Sequence, residues 1–207
     1  RVAQRYCMLE AYPRLFARFK MRLDPMFAEL PELLDASDGA RTIMDIGCGY
    51  GIQTAWMLER FSAATVVAID PDADRIRVAA RVAGTRASIS VGAAPDIPVL
   101  PDPADLAVML DMAHYLDDQT LQSTLNGLYE RLKKNGRLII RVTVPPQRRF
   151  ALLYWIEEFR LRLTRVPSFY RSIETLRAML QDAHFTAERT AVSGGKGELR
   201  WLIAVKK

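Results

Sequence analysis

A chain of 207 residues that is half hydrophobic can bury about 70% of the surface its unfolded form exposes, so one globular domain with a substantial core is expected. No stretch approaches the roughly 18 uninterrupted apolar residues of a membrane span and no secretory pattern opens the chain, which gives the expectation of a soluble, cytoplasmic protein. The two cysteines, Cys7 and Cys48, form no CxxC pair and the two histidines, His114 and His184, stand far apart, so neither a zinc site nor a disulfide framework is expected, and the formal charge of +5 is left as the main compositional signal.

That charge is uneven. Residues 1–22 carry six basic side chains against Glu10, and residues 148–171 carry six more against Glu157 and Glu158, so the positive excess belongs to two segments rather than to the whole surface.

In the first of them, Tyr12, Phe16, Phe19 and Leu23 recur at helical spacing while Arg14, Arg18 and Arg22 share another face, which predicts an amphipathic helix. Asp24 followed by Pro25 is a cap and first-turn signal for a second, short helix through Met26, Phe27, Leu30, Leu33 and Leu34. After Ser37, Asp38 and Gly39 the pattern becomes an alternation of short apolar runs with helical runs. Strands are predicted at 42–46, 65–70, 87–91, 105–110 and 137–144, and such βα alternation gives a parallel sheet covered on both faces. Asn135 and Gly136 are expected to end the helix that carries Leu121, Leu125, Leu128 and Leu132. A helix at 173–181 then leads to strands at 185–192 and 198–207, which the turn around Gly194, Gly195 and Gly197 makes antiparallel.

The stretch DIGCGYGIQT, residues 45–54, places Gly47, Gly49 and Gly51 between a strand and a helix. Without β-carbons, the backbone N–H groups and the helix N-terminus can approach a ligand directly. A dinucleotide loop would need a small residue at the sixth position, and Ile52 stands there, so a nicotinamide reading is set aside. Asp70 ends the next strand beside this loop, where a carboxylate can accept both hydroxyls of a ribose; capping of the following helix is the other role open to it, and Asp72 serves that role equally well.

Residues 40–207 resemble the class I S-adenosylmethionine-dependent methyltransferases. DIGCGYG is similar to the family's first motif, the strand ending in Asp70 to the second, VGAAPDIP (91–98) to the third, DLAVMLDMAHYL (105–116) to the fourth and LKKNGRLIIRV (132–142) to the fifth. The resemblance implies an α/β fold: a three-layer, doubly wound, seven-stranded Rossmann-like sheet with its last strand antiparallel. The chain would divide into an N-terminal helical cap (1–38), a cofactor-binding core (40–144), a helical lid insertion after the fifth strand (145–171) and a C-terminal helix with antiparallel strands (172–207). It further implies S-adenosyl-L-methionine as cofactor. Gly47, Cys48, Gly49 and Gly51 would border its methionine and ribose, Asp45 would reach the amino group, and Asp70 would take the ribose hydroxyls. Pro71 and Asp72 would flank the adenine, and Leu110 and Asp111 would line the methionine end. One departure stands out: the acidic side chain of the family's third motif is replaced by Ala93, so the backbone of Ala93 and Ala94, or else Asp96, would serve the adenine.

Methyl transfer from a sulfonium asks mainly for in-line placement of the acceptor. An oxygen acceptor gains from a base, and His114 with Tyr115 follows the fourth strand into the same cleft; for His114 a packing or capping role stands open beside the catalytic one. His184, where the last helix ends, reads as structural. No NPPY-type tetrad follows the fourth strand, which argues against amino-group methylation of DNA bases or glutamine. In the long segment 145–171, Leu152, Ile156, Phe159 and Leu163 predict a helical apolar face, with Tyr154, Trp155 and Leu161 beyond it. This segment and the N-terminal helices are expected to cover the acceptor pocket together. A packed cap with solvated arginines, a hydrophobic-acid site and an anionic membrane surface all remain open, and nucleic acid is disfavoured because no binding module accompanies the charge. The expected function is methyl transfer to a small-molecule or lipid-like hydrophobic acceptor, at oxygen, by a cytoplasmic enzyme with a membrane-peripheral option. The alternative is a non-catalytic cofactor-fold module of a larger protein.

Overall fold

The computed structural model describes residues 1–145, 167–195 and 197–207. The apolar runs read above become the strands β1 (Thr42–Ile46), β2 (Thr65–Asp70), β3 (Ala87–Val91), β4 (Ala104–Leu110), β5 (Leu132–Thr143), β6 (Thr186–Ser193) and β7 (Leu199–Val205). They hydrogen-bond as one seven-stranded sheet in the order β3-β2-β1-β4-β5-β7-β6. The pairings from β3 through β5 are parallel, and β7 runs antiparallel to both β5 and β6. This is the doubly wound sheet with one reversed strand that the motif order implied.

Helices cover both faces. Between and after the strands run α4 (Ile52–Arg60), α5 (Ala73–Ala83), α6 (Asp118–Arg131) and α7 (Ile173–Asp182), and before them α1 (Val2–Arg5), α2 (Ala11–Leu23) and α3 (Met26–Leu34). Side chains alternate through the central strands. Met44, Ala107, Leu138 and Ile140 pack toward α6 and α7, whereas Ile43, Leu106, Val108 and Ile139 pack toward α3, α4 and α5. A third, smaller cluster joins Val2, Tyr6, Leu9 and Ala17 of the N-terminal segment to Ile52 and Ala55 of α4 and Val78 and Val82 of α5.

The structure differs from the expectations in several places. Helix α6 ends at Arg131, not at Asn135 and Gly136, because Leu132 is buried and already pairs with Ala104 of β4. Asn135, with φ 64°, and Gly136 instead make an irregular corner inside β5, tied to the chain end by Asn135 N–H on the Lys206 carbonyl and Lys206 N–H on that of Gly136. Helix α2 turns its small side inward: Pro13 and Ala17 are buried, while Tyr12, Leu15, Phe16, Phe19 and Leu23 are exposed together with Arg14, Arg18 and Arg22. Small residues permit close approach of the helix, so the expected apolar face is the outer one. The cap position of α3 falls on Pro25 rather than on Asp24, and Asp24 Oδ1 accepts from Met26 N–H at 3.0 Å from one residue further back. The helical face expected around Leu152, Tyr154, Trp155, Ile156, Phe159, Leu161 and Leu163 lies outside the described residues. Among the described residues no helix is long and apolar enough to cross a membrane.

Candidate active site

The strand order reverses between β1 and β4, and a crevice at the carboxyl ends of strands forms at such a switch point. The glycine turn sits there. Its residues Gly47, Gly49 and Gly51 all have positive φ, yet they face different surroundings. A β-carbon on Gly47 would come within 2.8 Å of Met112, and one on Gly51 within 2.9 Å of Ala79 in α5, whereas one on Gly49 would meet nothing within 4 Å. Gly47 and Gly51 are therefore required by packing, and Gly49 is the one that leaves open space. Cys48 is fully buried, and burial pushes its thiol pKa up, so it contributes backbone rather than a reactive sulfur.

Two carboxylates hold the turn. Asp70, at the end of β2, accepts from Gly49 N–H at 2.9 Å and from Asp72 N–H at 3.0 Å, while the Ile69 carbonyl takes Gly47 and Cys48 N–H. An ionised carboxylate offers about four acceptor positions, so Asp70 keeps capacity for further donors. The cap of α5 is Asp72, which accepts from Asp74 and Arg75 N–H; the competing role for Asp70 is thus already filled. Asp45 lies beneath the turn at 0% exposure, with Thr54 Oγ1 donating to Oδ2 at 2.5 Å and no partner on Oδ1. Burial first, with the nearby Asp70 charge acting in the same direction against the Thr54 hydrogen bond, raises its pKa from 3.8 to about 7.

Pro71 and Ala93 are exposed and Ala94 is half-buried in the loop after β3, which Ile97 anchors in the core; Asp96 is exposed on the same loop. Leu110 is buried, and its side chain packs into the core on the α4 side of the sheet. Asp111 has a role that sequence reasoning missed. It holds φ 59° at the end of β4, and its Oδ2 receives Arg141 Nη1 at 3.1 Å and Lys20 Nζ at 3.3 Å. Arg141, 1% exposed on β5, also pairs with Asp24 at 2.8 Å, so a four-membered ionic network fastens α2 to the edge of the site. The only sequence trace of this network is an arginine within an otherwise apolar strand.

His114 and Tyr115 sit on the short turn Ala113–Tyr115 after β4, the former buried and the latter half-exposed. The His114 ring lies 4.1 Å from that of Tyr115 and is stacked on Tyr170, centroids 5.7 Å apart at 13°. The segment after the undescribed stretch thus returns to this turn, and Phe169 N–H donates to the His114 carbonyl at 2.7 Å. Arg171, counted with the basic cover from sequence, points inward and is buried; the other basic residues of 148–171 lie outside the described residues. His184 ends α7 with φ 64° and packs edge-on against Tyr129, far in sequence from the groups of the turn. Among the described residues no cluster could hold a metal ion.

A doubly wound sheet with a glycine turn at its switch point, clasped by an aspartate from the neighbouring strand, defines a nucleotide-type α/β domain. Residues 43–136 match the family described as a methyltransferase domain. No curated protein matches the sequence. Among solved structures, the chain is similar to the pyocyanin biosynthetic protein PhzM (TM-score 0.72, 21% identity, 99% of this chain and 61% of that one). It is also similar to an O-methyltransferase family protein from Burkholderia thailandensis (0.70, 19%, 94% and 59%). An S-adenosylmethionine-dependent methyltransferase from Mesorhizobium loti matches over nearly its full length (0.74, 19%, 89% and 99%). The chain spans about three fifths of the length of the first two. The chain therefore has the fold of these methyltransferases, with the match to the methyltransferase-domain family confined to residues 43–136.

Proposed function

We propose that this chain is an S-adenosylmethionine-dependent methyltransferase that acts on an oxygen of a small, hydrophobic or lipid-like acceptor. The observation that carries the reading is the Gly49 turn, open above its backbone and fastened by Asp70 at the switch point, with His114 on the turn that follows the adjacent strand β4. The residues present fit the cofactor. Asp70 has spare acceptor capacity for ribose hydroxyls, Asp45 Oδ1 is a buried acceptor with no donor of its own, and Gly49 gives a close approach. When bound, S-adenosylmethionine supplies a methyl group on a sulfonium, with a neutral thioether as leaving group.

The chain's own residues then have three tasks. The glycine turn and the loop at 93–96 hold the donor in place. The turn at Ala113–Tyr115 forms one wall for the acceptor, where His114 takes the acceptor's hydroxyl proton. The network of Lys20, Asp24, Asp111 and Arg141 keeps α2 beside them. The similarity to proteins described as O-methyltransferases supports oxygen as the acceptor atom. The outer face of α2, with Tyr12, Leu15, Phe16, Phe19 and Leu23 beside Arg14, Arg18 and Arg22, favours an apolar acceptor and, as a second reading, contact with an anionic lipid surface.

Isothermal titration calorimetry with S-adenosylhomocysteine is the first test: binding without added metal is expected, and Asp70→Ala weakens it by about ten- to a hundredfold. Equal affinity for the variant removes Asp70 from the site. A methyl-transfer screen against phenols and fatty acids then separates an enzyme from a cofactor-fold module without turnover. On the acceptor it identifies, His114→Ala lowers turnover by about a hundredfold or more while cofactor affinity holds. Co-sedimentation with anionic vesicles at low and high salt tests the lipid reading, since contacts through Arg14, Arg18 and Arg22 weaken as the Debye length falls below about 8 Å.

A further inference from the structure

Arg171 is 6% exposed, yet the bond it makes to a carboxylate reaches outward. Its Nε donates to Asp118 Oδ1 at 2.7 Å, and the Asp118 side chain is 82% exposed. A bond to so exposed a carboxylate is screened by solvent and does not account for placing a guanidinium inside. The other donors explain it. Nη1 reaches the Ala113 carbonyl at 3.3 Å and the Phe169 carbonyl at 3.0 Å, and Nη2 reaches the Leu116 carbonyl at 2.6 Å. Ala113 and Leu116 bracket His114 and Tyr115. Phe169 N–H closes the loop by donating to the His114 carbonyl at 2.7 Å, which sets Tyr170 with its ring stacked on that of His114 at 13°. A planar fork with fixed donor directions can hold three carbonyls from two segments at once; a flexible ammonium cannot fix them in the same geometry.

We infer that Arg171 is the positioning residue of the His114 turn: its guanidinium ties Ala113 and Leu116 to Phe169 and so fixes the His114 ring against Tyr170 at the carboxyl end of β4. The inference rests on the reading of His114 as the acceptor's base. Arg171 itself touches neither acceptor nor cofactor; it acts through the turn. Because the bond to Asp118 is peripheral, loss of that carboxylate leaves the turn in place, whereas loss of the guanidinium releases it. A turn displaced by about 1 Å can cost about a hundredfold in rate without changing how the donor binds.

The test uses the full chain with isotope-labelled histidine and tyrosine, read both free and with S-adenosylhomocysteine added. His184, distant from Arg171 in the chain and packed on Tyr129, is the internal control. In the wild type, ring-to-ring nuclear Overhauser contacts between His114 and Tyr170 are expected. In Arg171→Met they disappear and the His114 resonances move, while His184 resonances and S-adenosylhomocysteine affinity stay within error of the wild type. Asp118→Asn keeps the contacts. With an acceptor in hand, Arg171→Met lowers kcat by about a hundredfold with the KM for the methyl donor nearly unchanged. Intact His114 to Tyr170 contacts in a folded Arg171→Met overturn the inference, as does an Asp118→Asn variant that loses them. If Arg171→Met fails to fold, Arg171→Lys decides: weakened contacts support the role of the fork, and wild-type contacts overturn it. Failure of the wild type to bind S-adenosylhomocysteine, or full turnover by His114→Ala, would instead fall on the proposed function, since the ring contacts can be read without either.

Discussion

Asp45 and Asp70 lie near the carboxyl ends of neighbouring strands, and their surroundings differ. Asp70 accepts two backbone N–H groups, while Asp45 is enclosed with a single hydroxyl donor and a pKa raised to about 7. Unfolded, Asp45 titrates near 3.9. Between that value and about 7 the folded state holds the proton that the unfolded state has lost, so stability falls as pH rises through this window and is level above it. The change from 3.8 to about 7 corresponds to at most about 4 kcal/mol. Thermal melts of Asp45→Asn from pH 5 to 8 are therefore expected to show a flatter profile than the wild type, with the variant the more stable at pH 8; parallel profiles would contradict the raised pKa. Affinity for the cationic methyl donor should rise through the same window in the wild type only. The glycines separate in the same way. Gly51→Ala meets Ala79 and its backbone and is expected to lower stability by about 1–3 kcal/mol, whereas Gly49→Ala has room, pays only the left-handed backbone cost of about 1 kcal/mol, and loses cofactor affinity instead. The sequence spacing identified all three glycines as one loop, but only neighbours remote in the chain, Met112 and Ala79, reveal which of them packing demands.

At the scale of elements, periodicity identifies which residues share a face and not which face docks. The apolar stripe of α2 was legible in full, and so was the pattern of arginines; that the helix sits down on Pro13 and Ala17 was not, since those residues carry little hydrophobic signal. Besides the small apolar cluster around Ala17, an ionic network holds α2 there. Burial pushes the pKa of Asp24 up, but hydrogen bonds and charge from Arg141, with Lys20, outweigh it and leave it below the usual carboxylate range. Removing Arg141 leaves the half-buried Asp24 and Asp111 to share Lys20 as cationic partner, with Asp111 already in a left-handed conformation. Arg141→Met is expected to cost about 3–5 kcal/mol at neutral pH, measured by urea unfolding. The stabilisation from a lowered Asp24 pKa is present above the unfolded value and lost as pH falls through the folded one, so the gap between variant and wild type should narrow toward pH 3. A constant gap would show that packing of Arg141 on Trp201, 5.6 Å from the ring centroid, carries the effect instead. The strands were more legible than the helices: β1, β2 and β3 begin and end where alternation predicts, whereas β5 starts early because its pairing with β4 overrides the turn signal of Asn135 and Gly136.

The molecule as a whole is held by unequal layers, and that inequality should be measurable. Both faces of β1, β4 and β5 are buried by large clusters of side chains, but α1 and α2 rest on a smaller one, with Val2, Tyr6, Leu9 and Ala17 as the buried contribution of this segment. Segments with few buried apolar contacts open locally at a lower free energy than the global transition. Hydrogen exchange is therefore expected to be slowest in β1, β4 and β5 and to proceed in α1 and α2 without unfolding of the sheet. The same helices touch the glycine turn: Tyr6 Oη donates to the Tyr50 carbonyl at 2.8 Å, and the rings of Tyr12 and Phe16 lie 6.0 and 5.5 Å from that of Tyr50. A ligand that orders the turn must then also favour the docked helices, because binding to one state of a coupled pair shifts both. Added S-adenosylhomocysteine should slow exchange at residues 47–51 and, in step, in α1 and α2. In Tyr6→Phe, which keeps the ring and removes the hydroxyl, the protection at 47–51 should remain while the transmitted protection in α1 falls. If α2 amides in the free protein are as protected as those of β4, or if ligand protects the turn alone in the wild type, the N-terminal helices are part of the rigid core and do not respond to the site.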